Sequence, residues 1–401
     1  MSEGGRNVAA MRILHTSDWH IGRTFHGYPT LDALREVLDA LAASVREHDV
    51  DVVLVAGDVF DSAAPSADSF ALLTDALRAI SDAGAQIIVT SGNHDSVARL
   101  GFQSTLLRAG VHVITDPASV GTPITLSDAS GPVHFYGIPF LEPALVRHLW
   151  TDPDGERTPV RTQREALTQA MGLVRADLDA RGERERSVVL AHCFAAGMEP
   201  TPGLERDIQQ GGLDVVPLSV FDGPDYVALG HIHGRQQLSE RARYAGAPLH
   251  YSFGEQHKPR GAWLVDLDAA GLAEVQWLDL PVPRPLVTLT GTLSELLNDP
   301  RFADAEDAWV CAEYTDATIQ IDPMRRLRER FRYCANVVHH NAVVHEPDGM
   351  SYAGRVREAR NDLELIDTFL AHVREGEGAS EREREILQQV IEARTLAEVT
   401  A

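Results

Sequence analysis

Along the first 280 residues, short continuous apolar runs alternate with stretches where apolar positions recur every three or four residues. Residues 12–17 read as a strand. Leu31, Leu34, Leu38, Leu41 and Val45 follow at helical spacing, residues 52–56 form a second run, a helix is expected after Pro65, and 86–90 form a third strand. Uninterrupted Val, Ile and Leu mark strands buried on both faces, and a strand–helix–strand rhythm marks parallel βαβ units. After residue 110 the spacing tightens. Residues 112–115, 123–126 and 133–138 read as strands, 161–179 as a helix, and 187–191 and 226–229 as two more apolar strands. Residues 241–245, 262–266 and 274–280 look like a late antiparallel run. The expected fold class is α/β, as one mixed sheet covered by helices or as two facing sheets.

Pro281, Pro283 and Pro285 then interrupt any ladder, because proline donates no hydrogen bond. The predicted organisation is an N-terminal extension at 1–10, a main domain at 11–280, a proline-rich linker at 281–285, a smaller α/β unit at 286–348 and helices at 349–401. In the last segment Ile366, Phe369, Leu370 and Val373 form one apolar stripe, which Gly376 and Gly378 break. Ser380 with Glu383 makes a capping box for a last helix carrying Ile386, Leu387, Val390 and Ile391.

With 44% apolar content in 401 residues, the chain can build a large core and global disorder is excluded. Cys193, Cys311 and Cys334 are too few and too scattered for a disulfide framework or a CxxC zinc site, so a reducing, cytoplasmic setting is expected. There is no run of eighteen apolar residues to span a membrane, and residues 1–10 lack the apolar segment of a secretory signal. Met11 could serve as an alternative start. The net charge of −23 gives a field that repels nucleic acid, so composition alone argues against a DNA-binding role.

The candidate chemistry sits where the predicted strands end. The first delivers Asp18 and His20, the second Asp58 and Asp61, the third Asn93, His94 and Asp95, and two later strands deliver His192 and then His231 and His233. In open α/β sheets the carboxyl ends of strands line the ligand cleft. Alone, an Asp after a strand is more often a turn residue, and a lone His is more often core or surface. Their conjunction at five buried strand ends is what points to a site. Carboxylate, amide and imidazole donors without thiolate suit Mn²⁺, Fe²⁺ or Zn²⁺ in an open site. Asp18/His20 and His231/His233 are i, i+2 pairs, which extended backbone puts on one side. Asp58, between the pairs, can bridge two ions, and such ions can clamp both oxygens of an in-line phosphoryl displacement.

These residues resemble the five-motif signature of calcineurin-like metallophosphoesterases over 11–255: Asp18-x-His20, Gly57-Asp58-x-x-Asp61, Gly92-Asn93-His94-Asp95, His192 and Gly230-His231-x-His233. The words around Asp18 and His231, and the run from Tyr244 to Glu255, are similar to those of the SbcD family of bacterial DNA-repair nuclease subunits. The resemblance implies a four-layer α/β/β/α sandwich with a smaller α/β capping domain and C-terminal helices. It implies two divalent ions, usually Mn²⁺, one held by Asp18, His20, Asp58 and His233 and the other by Asp58, Asn93, His192 and His231. It makes His94 the acid for the leaving oxygen, with Asp95 orienting it and Asp61 behind the ligands. The implied activity is a 3′→5′ double-strand exonuclease and single-strand endonuclease, serving DNA repair, recombination, replication and hairpin processing. Ala245 and Ala247 stand where the family commonly carries small hydroxylated residues. Cys193 points away from the cluster and is read as core.

Possible DNA contacts are Arg23 and His26 near the metals, with Phe25 and Tyr28 beside them, and Arg325, Arg328 and Arg332, which would share one helical face. The bland reading of the second group is a solvated helix ion-paired through Glu329. The resemblance implies that the C-terminal helices dock on an SbcC-type coiled-coil ATPase, with the subunit a homodimer within a heterotetramer. Leu100 to Leu107 are weak candidates for the dimer contact. Two other readings of the same cluster are a phosphoesterase for small phosphodiesters or phosphoproteins, and a scaffold that has lost catalysis. Two divalent ions would bring the net charge only to about −19, so a nuclease reading needs a partner that supplies much of the hold on DNA.

Overall fold

The structure is a computed structural model. It describes residues 10–102, 104–150, 159–182, 184–195, 215–340, 356–357, 359, 361–374 and 377–399. The expected N-terminal extension apart from Ala10, the end of the 286–348 unit, most of 349–360 and Gly376 lie outside them. The chain divides into two compact units, residues 1–286 and 287–401.

In the first unit the strands are β1 (Met11–Thr16), β2 (Val52–Ala56), β3 (Gln86–Thr90), β4 (Val111–Ile114), β5 (Ile124–Asp128), β6 (Gly131–Ile138), β7 (Arg186–His192), β8 (Tyr226–Gly230), β9 (Ala242–Tyr244), β10 (Gly261–Asp268) and β11 (Gly271–Asp279). The long helices are α1 (Leu31–Glu47), α2 (Ala67–Asp82) and α3 (Gln163–Arg181). Among the described residues the strands make two six-stranded sheets. One has the order β11-β10-β1-β2-β3-β4. The other runs from Gln236–Gln237 through β9-β8-β7-β6 to β5. β1 to β4 pair in parallel, as do β6 to β9, while β10 is antiparallel to β1.

Alternation along each strand builds three apolar layers. Ile13, Val52, Leu54 and Ile88 face Phe135, Val188, Leu190 and Ala228 between the sheets. Leu14, Val53, Val55 and Val89 face the other way, onto the Leu34, Val37, Leu38, Leu41 and Val45 stripe of α1 and the Leu72, Ala76 and Ile80 stripe of α2. Val189, Ala191, Val227 and Leu229 cover Ala166, Leu167, Ala170, Met171 and Val174 of α3. The result is the four-layer α/β/β/α sandwich. Cys193 is fully buried in the third layer. One expectation is corrected. Residues 242–244 are not part of an antiparallel run with β10 and β11; they pair in parallel with β8, in the other sheet. A strand this short buries too few side chains to show from sequence which sheet it joins.

In the second unit β12 (Leu286–Gly291), β13 (Trp309–Tyr314) and β14 (Cys334–His339) form a three-stranded sheet, with α4 (Leu293–Asn298) and α5 (Pro323–Arg330) against it. Leu293, Leu296, Phe302, Val310, Leu327 and Phe331 are its core. α6 (Asp362–Val373) and α7 (Glu381–Val399) follow. Ser380 and Glu383 form the expected cap, with the Ser380 N–H donating to Glu383 Oε2 at 2.9 Å. Arg374 adds a 2.9 Å ion pair to Glu383. No side chain of α6 is buried. None of the described helices is long and apolar enough to cross a membrane.

Candidate metal centre

The ligand loops are zipped together just beyond the strands. Asp18 N–H donates to the Gly57 carbonyl at 3.1 Å, and His20 N–H to the Asp58 carbonyl at 2.9 Å. Asp18, His20, Asp58 and His231 all take positive φ, at 54°, 44°, 46° and 107°. That region is costly for side chains with a Cβ and persists where surrounding structure enforces it. Here it turns successive polar side chains off the strand ends and into one buried space. Asp18, His20, Asp58, His192 and His233 are all buried. Gly92 is obligatory on contact grounds, since a Cβ there would overlap the side chain and amide of Asp58.

Two donor clusters result. Asp18, His20 and His233 offer atoms within 4.8 Å of one another, as do Asp58, His192 and His231. His94 also comes within that distance of His20 and Asp58. Asp58 Oδ2 faces both clusters, lying 3.6 Å from His20 Nε2 and 3.2 Å from His192 Nε2. Asn93 Oδ1 lies 3.0 Å from His192 Nε2 and 3.0 Å from His231 Nδ1. The far side of two of the rings is held: His192 Nδ1 is 3.0 Å from the Ala56 carbonyl and His20 Nδ1 is 3.2 Å from Asp61 Oδ1. Asp18 accepts the His231 N–H at 2.8 Å and the Ser17 hydroxyl at 2.5 Å. Such partners fix which nitrogen faces a metal.

The residues fit divalent cations. The Nε2 atoms of His20 and His233 stand 3.0 Å apart, and His192 Nε2 stands 3.2 Å from His231 Nδ1, so ring nitrogens that can ligate a metal converge in each cluster. Burial holds His20 below the usual imidazole value, takes His231 down to about 3 with the His192 charge adding to it, and holds His233 well below. These three rings are therefore neutral, as ligation requires. Burial opposes ionisation of both Asp58 and His192, but their mutual attraction wins, holding Asp58 well below the carboxylate range and raising His192 to about 9. Burial, with the Asp58 charge, pushes Asp18 up to about 7 and Asp95 up to about 6. The pocket concentrates carboxylates that a bound cation would relieve. Gly92→Ala is expected to destabilise the metal-free protein by about 1–3 kcal/mol through overpacking and to weaken ion binding, read by thermal unfolding and Mn²⁺ titration.

The structure brings Asp18, His20, Asp58, Asn93, His94, His192, His231 and His233 into one space. The expected link between Asp95 and His94 is corrected. The Asp95 carboxylate is taken up by the amides of Val59, Phe60 and Gly92, at 3.0, 2.9 and 2.8 Å. It ties the second and third ligand loops together. His94 is held instead by the Asp61 carbonyl, 2.9 Å from Nδ1, with its ring edge-on to His20. Arg23 reaches Asp61 Oδ1 at 3.1 Å and stacks over Tyr251. His26 is exposed and lies against Phe25 and Phe253. The common face of Arg325, Arg328 and Arg332 does not exist. α5 ends at Arg330 because Phe331 turns into the core, so Arg332 lies beyond the helix, beside Tyr333. Arg325 is paired with Asp322 and Glu329, and Arg328 donates to the Cys334 carbonyl. Sequence reasoning passed over Tyr251, whose ring flanks both His20 and His233, because aromatic residues in loops carry no periodic signal.

Residues 11–235 match the family model described as calcineurin-like phosphoesterase. Residues 282–374 match SbcD_C, described as type 5 capsule protein repressor C-terminal domain. Among solved structures, TT1561 of Thermus thermophilus is 13% identical, with 67% of this chain and 99% of that chain covered and a TM-score of 0.36. A dimetal phosphatase from Danio rerio is 12% identical, covering 68% and 100%, at 0.39. GAP50, the anchor in the inner membrane complex of Plasmodium, is 11% identical, covering 68% and 90%, at 0.36.

Proposed function

Because the chain belongs to the calcineurin-like phosphoesterase family, and is accordingly a metal-dependent phosphoesterase, we propose that its substrate is DNA and that it is the nuclease subunit of an SbcCD-type complex. The observation that carries this reading is the conjunction of a complete donor set with a second unit matching the SbcD_C model. A hydrolase of small phosphoesters has no evident use for that unit and the helices after it.

In this reading Asp18, His20, Asp58 and His233 hold one ion, and Asp58, Asn93, His192 and His231 the other, with Mn²⁺ the metal. When bound, the two ions supply Lewis acidity to the phosphoryl oxygens and a nucleophile at neutral pH. The chain's own residues do the rest. Asp58 serves both clusters with one carboxylate. The Asp61 carbonyl accepts from Nδ1 of His94, so the imidazolium form of His94 delivers its Nε2 proton to the departing sugar oxygen and is left as the neutral Nδ1–H ring. The Arg23 guanidinium beside the cluster binds a flanking phosphate.

The partner in this reading is an SbcC-type coiled-coil ATPase. Leu365, Phe369 and Val373 on α6, and Ile386 and Val390 on α7, are all exposed, and helix-in-groove docking would cover them. Deleting 361–401 is expected to spare Mn²⁺-dependent cleavage by the isolated chain and to abolish co-purification with the ATPase. A complex of normal yield after the deletion overturns this docking.

The decisive experiment compares degradation of linear duplex DNA, with Mn²⁺ and the ATPase present, against turnover of a chromogenic nucleotide ester. DNA degradation is expected. Cleavage of the small ester alone points to the small-molecule phosphoesterase and rejects the nuclease.

A further inference from the structure

His233 is held from behind by a buried ion pair that ligand assignment leaves unused. Glu255 and Arg260 lie on one loop and are 0% and 2% exposed. Arg260 Nη1 donates to the main-chain carbonyls of His233 and Ala247, and Nη2 lies 3.1 Å from Glu255 Oε2. That same oxygen accepts the Tyr251 N–H at 2.7 Å. The other oxygen, Oε1, is 3.9 Å from His233 Nδ1. Both of these atoms are buried and neither has a hydrogen-bond partner. The opposite nitrogen of the ring, Nε2, faces His20 in the first donor cluster.

Two buried polar atoms without partners are each costly, by about 1–3 kcal/mol. Here they face each other, and a shift of about 1 Å makes a hydrogen bond of ordinary length. The ion pair with Arg260 compensates the buried carboxylate. The paired hydrogen bonds from Arg260 to His233 and Ala247 tie the carboxylate's position to the backbone that carries the ligand. We propose that Glu255, braced by Arg260, is a positioning residue for His233: Oε1 accepts the Nδ1 proton and so fixes the tautomer that presents Nε2 to a metal ion. This rests on the metal-centre reading above and adds to it a residue outside the donor set.

Glu255→Gln is the informative variant because it is isosteric. Tyr251 N–H and Arg260 are both donors, so the amide oxygen must take the Oε2 place and the NH₂ group then faces His233 Nδ1. That selects the wrong tautomer. In calorimetric titration of the full chain with Mn²⁺, the wild type is expected to bind two ions. Glu255→Gln, with an unchanged circular dichroism spectrum, is expected to bind one of them 10- to 100-fold more weakly, the range for such outer partners. A folded Glu255→Gln with two wild-type affinities overturns the positioning role alone. A wild type that binds no ion overturns the metal centre itself. Should Glu255→Gln fail to fold, imidazole-proton NMR of Zn²⁺-loaded wild type decides the matter. A downfield, slowly exchanging Nδ1 proton, absent in His233→Ala, is expected. An Nδ1 site in free exchange with solvent overturns the proposal.

Discussion

On the proposed nuclease reading, His94→Ala is expected to leave both ions bound while lowering DNA cleavage by about 10²- to 10⁴-fold, the range for loss of a general acid. His94 comes within 4.8 Å of His20 and Asp58, but two features of the structure favour a proton-transfer role over ligation. The His94 main-chain N–H, which the substitution keeps, donates to Asp58 Oδ1 at 2.9 Å, so the carboxylate shared by both clusters stays in place. The close contacts between ring nitrogens are made by His20 with His233 and by His192 with His231, and His94 is in neither pair. The leaving group supplies a sharper readout. A nitrophenyl ester departs as a stable anion and needs no proton, whereas a sugar oxygen does. The variant should therefore lose far less activity on the nitrophenyl ester than on DNA. Equal losses on both substrates, or loss of metal by elemental analysis, would show that His94 acts through the ions and not through its proton.

The parts legible in the sequence are those that burial dictates locally. Val52–Ala56 and Gln86–Thr90 are strands at the residues expected, because a strand covered on both faces leaves an uninterrupted apolar run. The donor residues were legible because each follows such a run. What stayed hidden depends on contacts distant in sequence. Asp95 adjoins His94, which suggests a partnership, yet its carboxylate reaches back to amides 35 and 36 positions away. The left-handed backbone of Asp18, His20 and Asp58 has no sequence mark, since strain is enforced by the neighbouring loop and not by the residue itself. Arg332 fell off its helical face because one buried aromatic, Phe331, ended the helix, and helical spacing extrapolates past such an end. Glu255 was visible within a family word, but its relation to His233 exists only once the loop is folded.

Asp58→Asn is expected to remove both ions and all detectable hydrolysis, a larger effect than loss of any other single donor. Each remaining donor is assigned to one ion, while Asp58 Oδ2 faces His20 on one side and His192 on the other. The substitution removes the buried charge that, against the cost of burial, attraction to His192 holds well below the ordinary carboxylate range. It preserves shape, and the amide oxygen can still accept the His94 N–H. The metal-free fold should therefore survive, and heat can then separate binding from folding. A ligand at a hundred times its dissociation constant stabilises the native state by about 2.7 kcal/mol. Wild-type protein should thus melt several degrees higher with Mn²⁺ than with chelator, while Asp58→Asn should melt at one temperature in both. If the variant keeps the Mn²⁺-dependent rise, the two clusters bind their ions independently and Asp58 does not bridge them.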